Sequence, residues 1–140
     1  MFRLFLIFLL GMNFPLITLA SIPVEVLEIY DGDTIKVKLD SNNKFSIRLV
    51  GIDCFETSKI HRAYKQAYVN NLKLEQVVKQ GNSTTKVVQE LYKNSKNASF
   101  DFQGIDKYSR ALGIVYFDEL NVNKYLLDNK ICLPYEYIDN

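Results

Sequence analysis

The chain has no C-x-x-C pair, a single histidine and no cluster of histidine with cysteine, so nothing in it reads as a zinc site. It also has no internal repeat, low-complexity tract or linker-like stretch. At 140 residues it is long enough for one core and too short for two, which predicts a single domain. An excess of either charge is missing as well, since 17 basic side chains stand against 16 acidic ones. Bulk charge therefore gives no hold on a polyanion. A neutral protein acting on one needs a local device, either a few placed arginines or a bound cation.

What is present begins with MFRLFLIFLLGMNFPLITLA: Arg3, an apolar run, then a small-residue end at Thr18-Leu19-Ala20. That three-part layout is expected to be a secretory signal cleaved after Ala20, leaving a domain over 21–140 that is secreted or periplasmic. A buried first helix and an uncleaved membrane anchor are the alternatives, and Asn13 and Pro15 interrupt the run. Without residues 1–20 the basic and acidic side chains are equal at 16 each. Export permits a disulfide between Cys54 and Cys132. Spacing alone leaves a bridge and two free buried thiols equally open.

Hydrophobic spacing organises the remainder. Pro23 to Leu39 reads as a β-hairpin with Asp31-Gly32-Asp33 at its turn, and Ile35, Val37 and Leu39 alternate with polar partners. After the polar Ser41-Asn42-Asn43, Phe45, Ile47 and Leu49 face one side of a third strand, and Ser46 and Arg48 the other. Thr57 to Lys96 has helical spacing, divided at Gly81 into two helices, the second capped by Ser83 or Thr84. Ala98–Gln103 and Ala111–Phe117 read as two more strands, and Asn121 opens a short helix through Asn129. The expected class is α+β: a five-stranded Greek-key barrel of the OB type, with helices inserted after strand 3 and following strand 5.

Closing such a barrel brings Asp33, Asp53 and Glu56 to one rim. Crowded acids repel, and a hard divalent cation, Ca²⁺ or Mg²⁺, with oxygen ligands removes that cost. Alone, each carboxylate reads equally as a solvated turn residue. Arg48 and Arg110, singly surface arginines, together beside a metal form a clamp for phosphate and for the charge that develops when it is attacked. His61 admits a proton-shuttle reading, against the plainer one of a polar residue at a helix start.

The segments Asp31-Gly32-Asp33-Thr34, Arg48 through Thr57, and Asp106-Lys107-Tyr108-Ser109-Arg110 resemble, in order and spacing, the staphylococcal nuclease (thermonuclease) family. The resemblance implies an OB-fold endonuclease that uses one Ca²⁺ to hydrolyse DNA, and RNA as a second substrate, as a monomer without a stable protein partner. It implies that Asp33 and Asp53 hold the ion through carboxylates and Cys54 through its backbone carbonyl. Glu56 would orient or deprotonate the attacking water, and Arg48 and Arg110 would bind the scissile phosphate. Lys107, Tyr108 and Tyr135, with Tyr137, would contact a terminal phosphate or a stacked base. A catalytically inactive nucleic-acid-binding module on the same fold is the alternative. Cys54 and Phe55 stand where the family has a small or hydroxyl residue and a proline, so the turn under Glu56 is expected to be looser. Ser109 stands where glycine is usual.

Overall fold

The computed structural model describes residues 21–136. The expected signal, residues 1–20, and Tyr137 lie outside them. Strands β1 (Ile22–Asp31), β2 (Thr34–Lys38) and β3 (Lys44–Leu49) form an antiparallel meander, and a two-residue β4 (Ile52–Asp53) follows. After helices α1 (His61–Val69) and α2 (Leu74–Lys93), the sheet resumes with β5 (Ala98–Ile105) and β6 (Ala111–Phe117). β5 pairs with β1 and β6. β6 then runs parallel to β3, pairing Ile47 with Ala111 and Leu49 with Gly113, which closes a five-stranded barrel. A short β7 (Leu120–Asn121) leads into α3 (Val122–Asp128), and β8 (Leu133–Pro134) pairs with β4. The α+β OB-type barrel with its two helical additions is the architecture expected from the spacing.

Inside the barrel Ile35, Val37, Ile47, Leu49, Val115 and Phe117 are buried, closed over by Val88 of α2 and Val122 and Leu126 of α3. Leu39, expected on the inner face, is instead exposed, because β2 ends at Lys38 and the chain turns away. Arg48, expected on an open face, is 5% exposed, because its guanidinium turns onto the carbonyls of Leu49 and Ile52 and the Asp33 carboxylate. α3 starts where expected, with the Asn121 side chain accepting from the Lys124 N–H at 2.9 Å.

The helical insertion is divided differently from the expectation. The break falls at Asn70–Lys73, where Asn71 takes φ of 52°, a left-handed conformation that asparagine tolerates at a helix end. Gly81 lies inside α2, and Ser83 and Thr84 cap nothing. A Cβ at Gly81 would stand 2.2 Å from the Glu56 carbonyl oxygen, so glycine is there for close approach. Ala63, Ala67 and Val77 make a second small core between α1 and α2, with Phe55 packed against it.

The two cysteines resolve to a disulfide, Cys54–Cys132, whose ends are 78 positions apart in sequence. It ties the turn after β4 to the segment following α3. Closing a loop of that length removes about 4.5 kcal/mol of chain entropy from the unfolded state. Urea unfolding with and without reductant checks this: the reduced protein should lose about 4 kcal/mol of stability. Equal midpoints would show that the bridge constrains nothing.

Candidate active site

The β1–β2 turn is tight: Asp31 pairs with Thr34, and the Asp31 carboxylate accepts from the Asp33 N–H at 3.1 Å. A Cβ on Gly32 would meet the Cys54 sulfur at 2.8 Å and a Thr84 methyl at 2.5 Å. Only glycine lets this turn press down on the disulfide and on α2. The Asp33 side chain is thereby buried, with Oδ2 accepting from the Cys54 N–H at 2.7 Å and pairing with Arg48 Nη1 at 3.1 Å.

Arg48 is held on every side. Its terminal nitrogens donate to the carbonyls of Leu49 (2.9 Å) and Ile52 (3.0 Å), and its guanidinium lies 6.0 Å from the centre of the Tyr135 ring. Burial pushes the Asp33 carboxyl up to about 7; Arg48 opposes this and nearby Asp31 adds to it. Glu56 is also raised, mainly by burial, with Arg62 pulling it down and Asp33 and Asp53 pushing it up.

The turn Asp53–Glu56 is not loose. The buried side chain of Gln66 in α1 donates to the Cys54 carbonyl at 2.9 Å and accepts from the Glu56 N–H at 3.0 Å. With the disulfide, the Asp33 bond and Gly81 beneath Glu56, four contacts replace the rigidity expected of a proline. The Cys54 carbonyl, an expected cation ligand, is thus already an acceptor for Gln66.

Arg110 is positioned by a residue to which the sequence reading assigned no role. The Asp106 carboxylate, its side chain fully buried, accepts from the N–H groups of Tyr108 and Arg110 and from Arg110 Nε, at 2.9, 2.9 and 2.8 Å. Burial alone would raise Asp106; these hydrogen bonds outweigh it and hold the carboxyl below its ordinary range. The Arg110 guanidinium lies 5.5 Å from the centre of the exposed Tyr108 ring, and Lys107 Nζ 5.2 Å from it. Ser109 takes φ of 61°, which accounts for the glycine usual at that place.

Asp33, Arg48, Glu56, Tyr108 and Arg110 line one cleft of about 430 Å³, together with Tyr30, Ile60 and Arg62. Asp53 and Tyr135 line a second, smaller pocket of about 160 Å³ beside Lys65 and Gln66; Arg62 borders both. Lys107 lines neither. His61 is exposed at the first position of α1, as in its plainer reading.

Among the described residues no three His, Cys, Asp or Glu side chains stand ready around one point. Arginines answer the carboxylates instead: Arg48 pairs with Asp33, while Arg62 bonds Asp53 at 2.5 Å and Glu56 at 3.1 Å. The donors nevertheless fit a hard divalent cation in kind. All are oxygens, and burial disfavours the charged form of the Asp33 carboxyl despite Arg48, a cost that a bound cation would offset.

Residues 46–139 match the family model described as staphylococcal nuclease homologue. A protein of Haemophilus influenzae named as an uncharacterized endonuclease is 27% identical over 111 residues, covering 79% of this chain and 51% of that protein. The chain spans about half the length of this curated relative.

The raised Asp33 fixes a pH dependence. The folded state binds the Asp33 proton more tightly than the unfolded state, so this group's contribution is fully present below pH ~4 and is lost as pH rises through about 7. Denaturant unfolding of the metal-free protein between pH 4 and 8 should show the loss, and Asp33→Asn should flatten it. An unchanged slope in that variant would contradict the assignment.

Proposed function

This chain belongs to the staphylococcal nuclease homologue family, and on that premise we propose that it hydrolyses phosphodiester bonds of DNA, and of RNA, in a calcium-dependent reaction. The observation that carries the reading is the single cleft in which Glu56 faces the same space as Arg48, Arg110 and Asp33. We propose further that residues 1–20 direct export and that the product acts as a monomer.

In this reading Asp33, Asp53 and the Cys54 carbonyl would hold one Ca²⁺. When bound, the ion supplies positive charge against the phosphate and favours ionisation of a water beside it. Glu56 orients that water and takes its proton. A carboxyl raised by burial accepts a proton more readily than an ordinary one, and the Gln66 bond to its N–H fixes where it sits.

The two arginines divide the phosphate between them. Arg48, spent on two carbonyls and Asp33, is a fixed positive charge at the floor of the cleft. Arg110, its side chain 27% exposed, is aimed by Asp106 and meets the negative charge that develops on phosphate and leaving oxygen. Tyr108, beside Arg110 and 67% exposed, offers a face on which a base can stack.

Release of acid-soluble fragments from DNA in calcium tests these roles. Glu56→Ala should lower turnover by about 10²-fold or more while leaving thermal unfolding nearly unchanged, because its turn is held by the disulfide and by Gln66 rather than by its own side chain. Arg110→Ala should lose about 10²-fold. Full activity in Glu56→Ala would reject the assignment. Binding of DNA without cleavage by the folded wild-type chain would favour the inactive-module reading.

A further inference from the structure

Arg62 stands apart from the other cations of the cleft in three ways. Its side chain bonds the two carboxylates that the first arginine leaves largely unpaired, Asp53 through Nη2 at 2.5 Å and Glu56 through Nε at 3.1 Å, whereas Arg48 comes no nearer than 3.9 Å to Asp53. That side chain is 43% exposed, and its residue borders both the cleft and the smaller pocket. Leaving the carboxylates thus costs Arg62 no burial of charge, in contrast to Arg48 with its two carbonyl acceptors. Finally, Arg62 is the second residue of α1, where the positive end of the helix disfavours a cation. No acid stands in that first turn, and Ile60 makes no side-chain cap to pin it. Nothing in the helix itself accounts for an arginine there; the carboxylates do.

We propose that Arg62 is the internal counter-cation of this acid cluster and thereby sets its affinity for a divalent cation: the guanidinium, held by Asp53 and by Glu56 beside the site, must swing away before the ion can take the Asp53 carboxylate. The inference rests on the proposed cation site. Binding is then an exchange of one cation for another. The apparent affinity is the intrinsic one reduced by the fraction of molecules in which Arg62 has already swung away. Removing the side chain removes that competition, at the cost of leaving the carboxylates unanswered in the metal-free protein.

The test is calorimetric titration of calcium chloride into the full chain as wild type, Arg62→Gln and Arg62→Lys, each shown folded by circular dichroism. Arg62→Gln should bind calcium about 10-fold more tightly than wild type. Arg62→Lys, which keeps the charge but reaches with one nitrogen, should fall between the two. It also keeps the question answerable should the glutamine variant fail to fold without the ion. Calcium binding with unchanged or weaker affinity in the folded variants would overturn the role of Arg62 and leave the cation site standing. No binding by any of the three would overturn both.

Discussion

The carboxylate of Asp33 is the group on which the arrangement of the cleft depends. One oxygen of it takes the Cys54 N–H and the Arg48 guanidinium, so the turn between β1 and β2, the end of β3 and the turn after β4 meet at a single buried atom. Removing one partner of such a pair strands the other charge away from water and costs about 3 to 5 kcal/mol. Arg48 in turn donates to the carbonyls of Leu49 and Ile52, tying the end of β3 to β4. Structural and chemical duties are therefore fused here, and a substitution at Asp33 or Arg48 changes both.

Glu56 is better insulated from the fold. Its turn is held by backbone contacts and by neighbours: the disulfide, Gln66, the Asp33 bond and Gly81 underneath. Phe55 gives that turn no local constraint of its own backbone, and its side chain packs on the Ala63, Ala67 and Val77 cluster. The rigidity that the backbone of a proline gives locally is supplied by long-range packing. The helical insertion is what supplies it, so α1 and α2 belong to the site as much as the barrel does.

Much of this was legible in the sequence. Period-two patterning marks β2 and β3 because each buries one face, an almost continuous apolar run marks β6, and the Asp-Gly-Asp run marks the turn because of its residue chemistry. The residues that line the cleft could be named because three polar segments stand at strand ends in the right order. Partners were not legible. Glycine at position 81 reads as a breaker until the Glu56 carbonyl is seen beside it, while the true break uses Asn71 in a left-handed conformation. Arg48 looks like a surface residue because alternation reports which face a side chain takes, not what later covers that face. Asp106, four residues before Arg110, was the one positioning group with a readable signal; Gln66 and Arg62, on a helix of ordinary polar spacing, had none.

The central claim is that this cleft cleaves phosphodiesters with the help of a divalent cation. It is tested most directly by incubating the purified folded chain with single- and double-stranded DNA and with RNA, in calcium or in excess chelator, and measuring acid-soluble fragments. The account predicts fragments in calcium and none in chelator. A folded protein that releases none in calcium, or as many in chelator, would contradict it.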